Sequence, residues 1–173
     1  IPLRLVGSEM CIRDSIWNAH VASGVSLIEY GKHFDTISVC LSKGLGAPIG
    51  SLMLSTKARV AEARIWRKRY GAGMRQVGII AAAGHYAIDQ NITRLGEDHI
   101  KAKKIARAMH ALNPSLVHPD NVHTNIVGLD LVGMGMTAAE LNTRCREAGL
   151  WISALGKHSV SYTHLTLPTK RIV

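Results

Sequence analysis

The stretch Asp35-Thr36-Ile37-Ser38-Val39-Cys40-Leu41-Ser42-Lys43-Gly44-Leu45-Gly46-Ala47-Pro48-Ile49-Gly50 decides the fold class. Its first half is β-branched and apolar, which predicts a buried strand over residues 35–41. Gly44, Gly46, Pro48 and Gly50 then stop the strand at once. A lysine at that edge is expected to keep its stem in apolar surroundings and its amine at the mouth of a cleft. Desolvation there lowers a lysine pKa and makes the neutral amine needed for Schiff-base chemistry accessible. Lys43 is therefore the candidate nucleophile, with Gly44, Gly46 and Gly50 letting the backbone turn sharply beside a bound cofactor. A phosphate loop is excluded by order, because that motif places its glycines before the Gly-Lys-Ser/Thr, and here Lys43 precedes them.

Working outward, residues 17–33 are helical in pattern but weakened by Gly24 and Gly31, which predicts a helix, a turn and a second short helix. Ser26 opens that second piece as Ser-Leu-Ile-Glu, a capping box with Glu29. After the glycine turn, residues 49–54 predict a second strand, and Thr56 caps a strongly basic helix over 57–70. Residues 74–92 form a nearly uncharged helix with small residues on every face, expected to be buried between other elements or at a subunit interface. A long amphipathic helix over 95–112 ends at Asn113-Pro114. A strand over 124–131, a helix over 137–148 and a strand over 150–153 open a second, smaller α/β domain.

The two ends read differently. Met10-Cys11-Ile12-Arg13-Asp14 can be encoded atg-tgt-ata-aga-gac, whose reverse complement translates as Val-Ser-Tyr-Thr-His, which is residues 160–164. The word matches a transposase end sequence used in preparing sequencing libraries. Residues 4–9 and 165–169 translate the flanking arms. Residues 1–15 and 159–173 are accordingly expected to be adapter-derived. That leaves residues 16–94 as part of one cofactor-binding domain, and 95–158 as a linking helix with part of a small C-terminal domain.

The exclusion changes the inventory. The whole chain has 21 Lys and Arg against 12 Asp and Glu, a charge of +9. Without Arg4, Glu9, Arg13, Asp14, Lys170 and Arg171 the balance is 17 against 10, or +7. Most of this charge lies on helices that also carry an apolar stripe, which argues for solvated faces and an anion site over nucleic acid. Cys40 and Cys145 are too few and too scattered for a disulfide framework or a zinc site. His85, His99, His110, His118 and His123 show no metal-ligand pairing, so no metal is expected. No apolar run reaches a membrane span, and a cytoplasmic location is the default.

The segment Arg67-Lys68-Arg69-Tyr70-Gly71-Ala72-Gly73-Met74-Arg75-Gln76 is the other candidate site. Its glycines are expected to place Arg75 at a helix N-terminus, where backbone N–H groups and a guanidinium together hold a phosphate.

Both segments resemble the low-specificity L-threonine aldolases: residues 35–50 resemble their pyridoxal-phosphate lysine segment, and 67–84 their Arg-Lys-x-x-Gly-Gly-Gly-Met-Arg-Gln and Ala-rich helix, with Ala72 in place of a glycine. The resemblance implies a fold-type-I pyridoxal-phosphate enzyme: a partial large α/β domain with a mixed or mostly parallel sheet, then the start of a small α/β domain. It implies retro-aldol cleavage of L-threonine or L-allo-threonine, in a homo-oligomer (tetrameric in the family). Lys43 would carry the cofactor, Arg75 would sit near its phosphate, in the same or a neighbouring subunit, and Lys68 would stand at the site entrance. Ile16-Trp17-Asn18-Ala19 continues the family's Asp-Gly-Ala-Arg motif. Its Asp and Arg fall on Ile12 and Ser15 here, so the partner of the pyridine nitrogen is missing. No arginine for the substrate carboxylate follows Ser153-Ala154-Leu155-Gly156 at its expected place. The chain by itself is therefore expected to be an inactive fragment lacking the strands that pair beside residues 35–41. Another fold-type-I enzyme, a β-eliminating lyase or an aminotransferase, is the alternative.

Overall fold

The computed structural model describes the backbone of residues 10–13, 15–155 and 158–162, and the side chains of 15–154. It divides between Arg94 and Leu95 into two compact units.

The first unit is built on strand β2 (Thr36–Cys40), which follows two short helices, α1 (Ile16–Ser23) and α2 (Leu27–Gly31). Ile37 and Val39 alternate into the core at 5% and 1% exposure. Each such burial contributes about 1.5–3 kcal/mol. The helix break falls at Gly24, whose φ of 70° closes α1 with a left-handed residue. The box at the start of α2 is only half formed. Ser26 Oγ accepts from the Glu29 amide at 3.2 Å, while the Glu29 carboxylate turns to Lys32 at 2.7 Å.

β2 lies between β1 (Met10–Arg13), parallel to it, and β3 (Ser51–Ser55), antiparallel to it, so the sheet is mixed. Here the expectation of a missing partner strand is corrected. The residues attributed to an adapter occupy that edge, with Ile12 opposite Ser38. A strand edge exposes a row of unpaired N–H and C=O groups that any extended neighbouring segment can satisfy.

Helix α3 (Lys57–Arg69) is capped by Thr56 and buries none of its residues. Helix α4 (Gly78–Asn91) begins four residues later than the pattern predicts. Gly71 at φ 76° and Gln76 at φ 52° hold the preceding segment in left-handed backbone, which a helix cannot include. Gly84 and Ala87 are buried, but Ile79 is 82% and Tyr86 66% exposed. Burial on every face is thus not found within this chain.

The second unit packs α5 (Leu95–Leu112), β4 (Ile126–Asp130) and α6 (Ala138–Glu147) around Ala102, Ala106, Val122, Val127 and Leu131. Its sheet has the order β4, β6 (His158–Tyr162), β5 (Ser153–Leu155), with both pairings antiparallel. The last predicted strand is displaced. Residues 150–152 are not extended into the sheet, because Gly149 at φ 78° ends α6 there and β5 starts at Ser153.

A complete capping box starts α6. The Thr137 amide and hydroxyl donate to Glu140 Oε2 at 2.7 and 2.9 Å, and the Glu140 amide donates back to Thr137 Oγ1 at 3.2 Å. The backbone and hydroxyl bonds from Thr137 hold the Glu140 carboxyl below its ordinary 4.5, against slight desolvation and with help from Arg144. A carboxyl lowered by folding stabilises above its ordinary pKa and loses that contribution as pH falls through the lowered one. Amide protection across α6, taken relative to intrinsic exchange at each pH, is expected to be steady from neutrality to about 4.5 and to fall below it. Glu140→Gln flattens that dependence, and Thr137→Ala lowers the protection roughly fivefold at neutral pH.

Candidate functional site

The site grows from the way β2 ends. The chain leaves the strand at Leu41 and returns to it within ten residues. The Leu41 amide donates to the Gly50 carbonyl at 2.9 Å, the Ala47 amide to the Leu41 carbonyl at 3.0 Å, and the Gly46 amide to the Lys43 carbonyl at 2.8 Å. Gly46 at φ 70° and Gly50 at φ 120° make the reversal possible. Gly44, singled out with them, does not adopt positive φ. Leu41, Leu45 and Ala47 point inward at 6%, 1% and 5% exposure, so the loop is anchored from beneath by apolar burial.

Three further contacts fix this loop and its approach. The buried Trp17 indole donates Nε1–H to the Cys40 carbonyl at 2.9 Å. Gly84 of α4 meets Leu41 closely enough that a Cβ there would lie 3.1 Å from Leu41 Cδ1. The Asn91 side chain, at the last residue of α4, donates Nδ2–H to the Leu45 carbonyl at 2.7 Å. Sequence reasoning passed over Asn91 and gave Trp17 no role. Their partners are backbone carbonyls 46 and 23 residues away, and no local pattern marks such bonds.

Lys43 stands on this loop as an exposed residue. The burial of its stem that the sequence suggested is not found, because the inward positions are taken by Leu41, Leu45 and Ala47. Cys40 lies behind it, its Sγ 3.4 Å from Ser42 Oγ. Burial pushes the Cys40 thiol up, but bonds from Ser42 and Ser51 and the Lys43 charge outweigh it and hold the thiol below its ordinary range.

Arg75 and Lys68 belong to a second loop. The Ala72 amide donates to the Arg67 carbonyl at 2.9 Å and the Gly71 amide to the Lys68 carbonyl at 3.1 Å. The Lys68 stem folds over Gly73, where a Cβ would meet its Cδ at 2.9 Å. Arg75 is exposed and precedes the first turn of α4 instead of standing in it. The two loops therefore flank α4, one at each end. Its 14 residues span about 21 Å.

Two cavities of about 440 and 430 Å³ open on this unit. The first lies over β2 beside Trp17, Phe34 and the Arg59–Asp35 ion pair of 2.6 Å. The second lies between β3 and α3, with Leu52, Met53 and Val60 inside and Arg64 and Arg67 at its edge. Lys43, Lys68 and Arg75 line neither. Among the described residues no cluster of three or more His, Cys, Asp or Glu could hold a metal, and no helix is long and apolar enough to cross a membrane.

A family model described as beta-eliminating lyase matches residues 15–131. The chain is 37% identical over 136 residues to low-specificity L-threonine aldolase 1 of Arabidopsis thaliana, covering 78% of this chain and 38% of that protein. It is 44% identical over 105 residues to the low specificity L-threonine aldolase of Escherichia coli K12, covering 61% of this chain and 32% of that one. The chain thus spans about a third of the length of these relatives. A crystal structure from Listeria monocytogenes EGD-E, described as an L-allo-threonine aldolase, superposes with a TM-score of 0.69 at 20% identity. It covers 87% of this chain and 44% of that one. The fold is that of the fold-type-I aldolases and lyases, present here in part.

The thiol reports on the loop. Ser42→Ala removes the strongest influence lowering Cys40 and is expected to slow its alkylation by iodoacetamide at pH 8 about two- to fivefold. Lys43→Met, which removes the weakest, slows it less; the reverse order would show that the loop is arranged differently.

Proposed function

The chain belongs to the beta-eliminating lyase family, and on that footing we propose that the whole protein is a pyridoxal-phosphate lyase. It cleaves L-threonine or L-allo-threonine to glycine and acetaldehyde. The observation that carries this is Lys43, an exposed primary amine on a closed loop anchored to a buried strand. The named aldolase relatives supply the substrate class.

The donor set supports the cofactor in part. Lys43 offers the amine for its aldehyde, and Arg75 a guanidinium for its phosphate. The position for the ring-nitrogen partner is Ile12, opposite Ser38 on β1, whose aliphatic side chain cannot pair with a protonated pyridine. Pyridoxal phosphate, when bound, supplies the electron sink for the carbanion left as the Cα–Cβ bond breaks. Lys43 would hold the cofactor, and its free amine would serve as a base within the site. In the overall reaction the β-hydroxyl proton is lost, acetaldehyde leaves and the glycine carbon takes up a proton. Lys68, folded over Gly73, borders the entrance.

Subunit organisation follows from α4. Arg75 precedes one end of α4 while the Lys43 loop is held at Gly84 and Asn91, toward the other end. On this reading Arg75 serves the phosphate of a second copy in a homo-oligomer. The exposed Ile79 and Tyr86 on α4 give such a contact apolar area.

Borohydride reduction of the chain with pyridoxal phosphate, followed by peptide mapping, tests the assignment. The expected result is a label confined to Lys43, with a yield that rises with chain concentration and loses that dependence in Arg75→Ala. Label spread over Lys57, Lys68 and Lys101 would refute the site. Threonine-dependent acetaldehyde release from these 173 residues is expected at background, because the ring partner is absent. Release of 2-oxobutanoate and ammonia by the whole protein would favour the β-eliminating alternative.

A further inference from the structure

We propose that Asn91 is the positioning residue of the cofactor lysine, a role that rests on the reading of Lys43 given above. The Lys43 loop is closed on itself by main-chain bonds, yet those bonds fix only its shape. Among the contacts that tie it to the body of the unit, the Asn91 amide reaches the crest of the loop. It donates to the Leu45 carbonyl at 2.7 Å, two residues past Lys43. Leu45 is 1% exposed, so its carbonyl is drawn inward with its side chain, where a lost partner is costly.

Space at the contact is matched to this bond. At Gly46, with φ 70°, an added Cβ would lie 4.0 Å from Asn91 Nδ2. The same glycine donates its amide to the Lys43 carbonyl. Asn91, Leu45, Gly46 and Lys43 thus form a continuous chain of contacts from α4 to the reactive residue. Gly84, two turns earlier on the same side of the helix, presses on Leu41 at the start of the loop. Helix α4 therefore holds the loop at its root by packing and at its crest by a hydrogen bond. Only the second is directional, and a directional bond is what sets where the amine of an exposed lysine is presented.

Two measurements on the full chain test this, one of them independent of any cofactor. Asn91→Ala and the isosteric Asn91→Asp, which cannot donate, are expected to speed amide exchange at Gly46 and Ala47 about three- to tenfold. Exchange in the middle of α4 stays unchanged, which shows that the helix is still folded. In the same variants the borohydride label with pyridoxal phosphate is expected to move from Lys43 toward other lysines, with selectivity reduced at least about threefold. Unchanged exchange at Gly46 and Ala47 in both variants overturns the inference whatever the label does. Faster exchange with an undiminished Lys43 label overturns the positioning role while leaving the cofactor assignment intact. A label already scattered in the unaltered chain overturns that assignment, and the positioning role with it, even where exchange responds.

Discussion

The first unit depends on one constraint: a strand that buries Ile37 and Val39 must stop abruptly at its C-terminal end and turn back without leaving polar backbone unpaired. The bonds between Leu41, Gly50, Ala47, Lys43 and Gly46 satisfy the turn from within. The indole of Trp17 and the amide of Asn91 satisfy two carbonyls the turn cannot reach, those of Cys40 and Leu45. With the inward places filled by leucine and alanine, the one long cationic residue of the loop has nowhere to go but outward. Its exposure is a consequence of how well the rest of the loop is packed.

That exposure changes where the chemistry must come from. A buried lysine is activated by its own surroundings, but an exposed one needs walls brought to it. Lys43 is exposed on its loop, and apolar side chains also stand uncovered elsewhere on the unit. Leu52, Met53 and Leu54 are 39–47% exposed on β3, and α3 buries nothing. The uncovered apolar faces and the exposed lysine belong to a chain that spans 38% of its Arabidopsis relative.

What was legible in the sequence was what is decided locally. β2 and its glycine stop, the Thr56 cap and the whole of α5 follow from patterns contained within a few residues. The start of α4 was misjudged because Gln76 adopts a left-handed conformation that its residue type disfavours, and nothing in the spacing of Met74 or Arg75 announces it. The β1 pairing was missed for a different reason. An argument about where residues come from says nothing about whether their backbone can hydrogen-bond, and Met10–Arg13 meets that requirement like any short extended segment. Asn91 and Trp17 were invisible as site residues because each acts on a carbonyl far along the chain.

Strand pairing and site competence are therefore separable properties in this fold. β1 pairs with β2 in parallel register over four residues, so this edge of β2 is hydrogen-bonded. The register puts Ile12 opposite Ser38, and under the function proposed above it is the residue type there, not the strand, that would decide whether a pyridine nitrogen is kept protonated. A backbone ladder accepts almost any extended sequence, whereas an ion pair accepts only a carboxylate. The pairing of this edge is therefore a property of the backbone and carries no information about the chemistry of the residue placed on it.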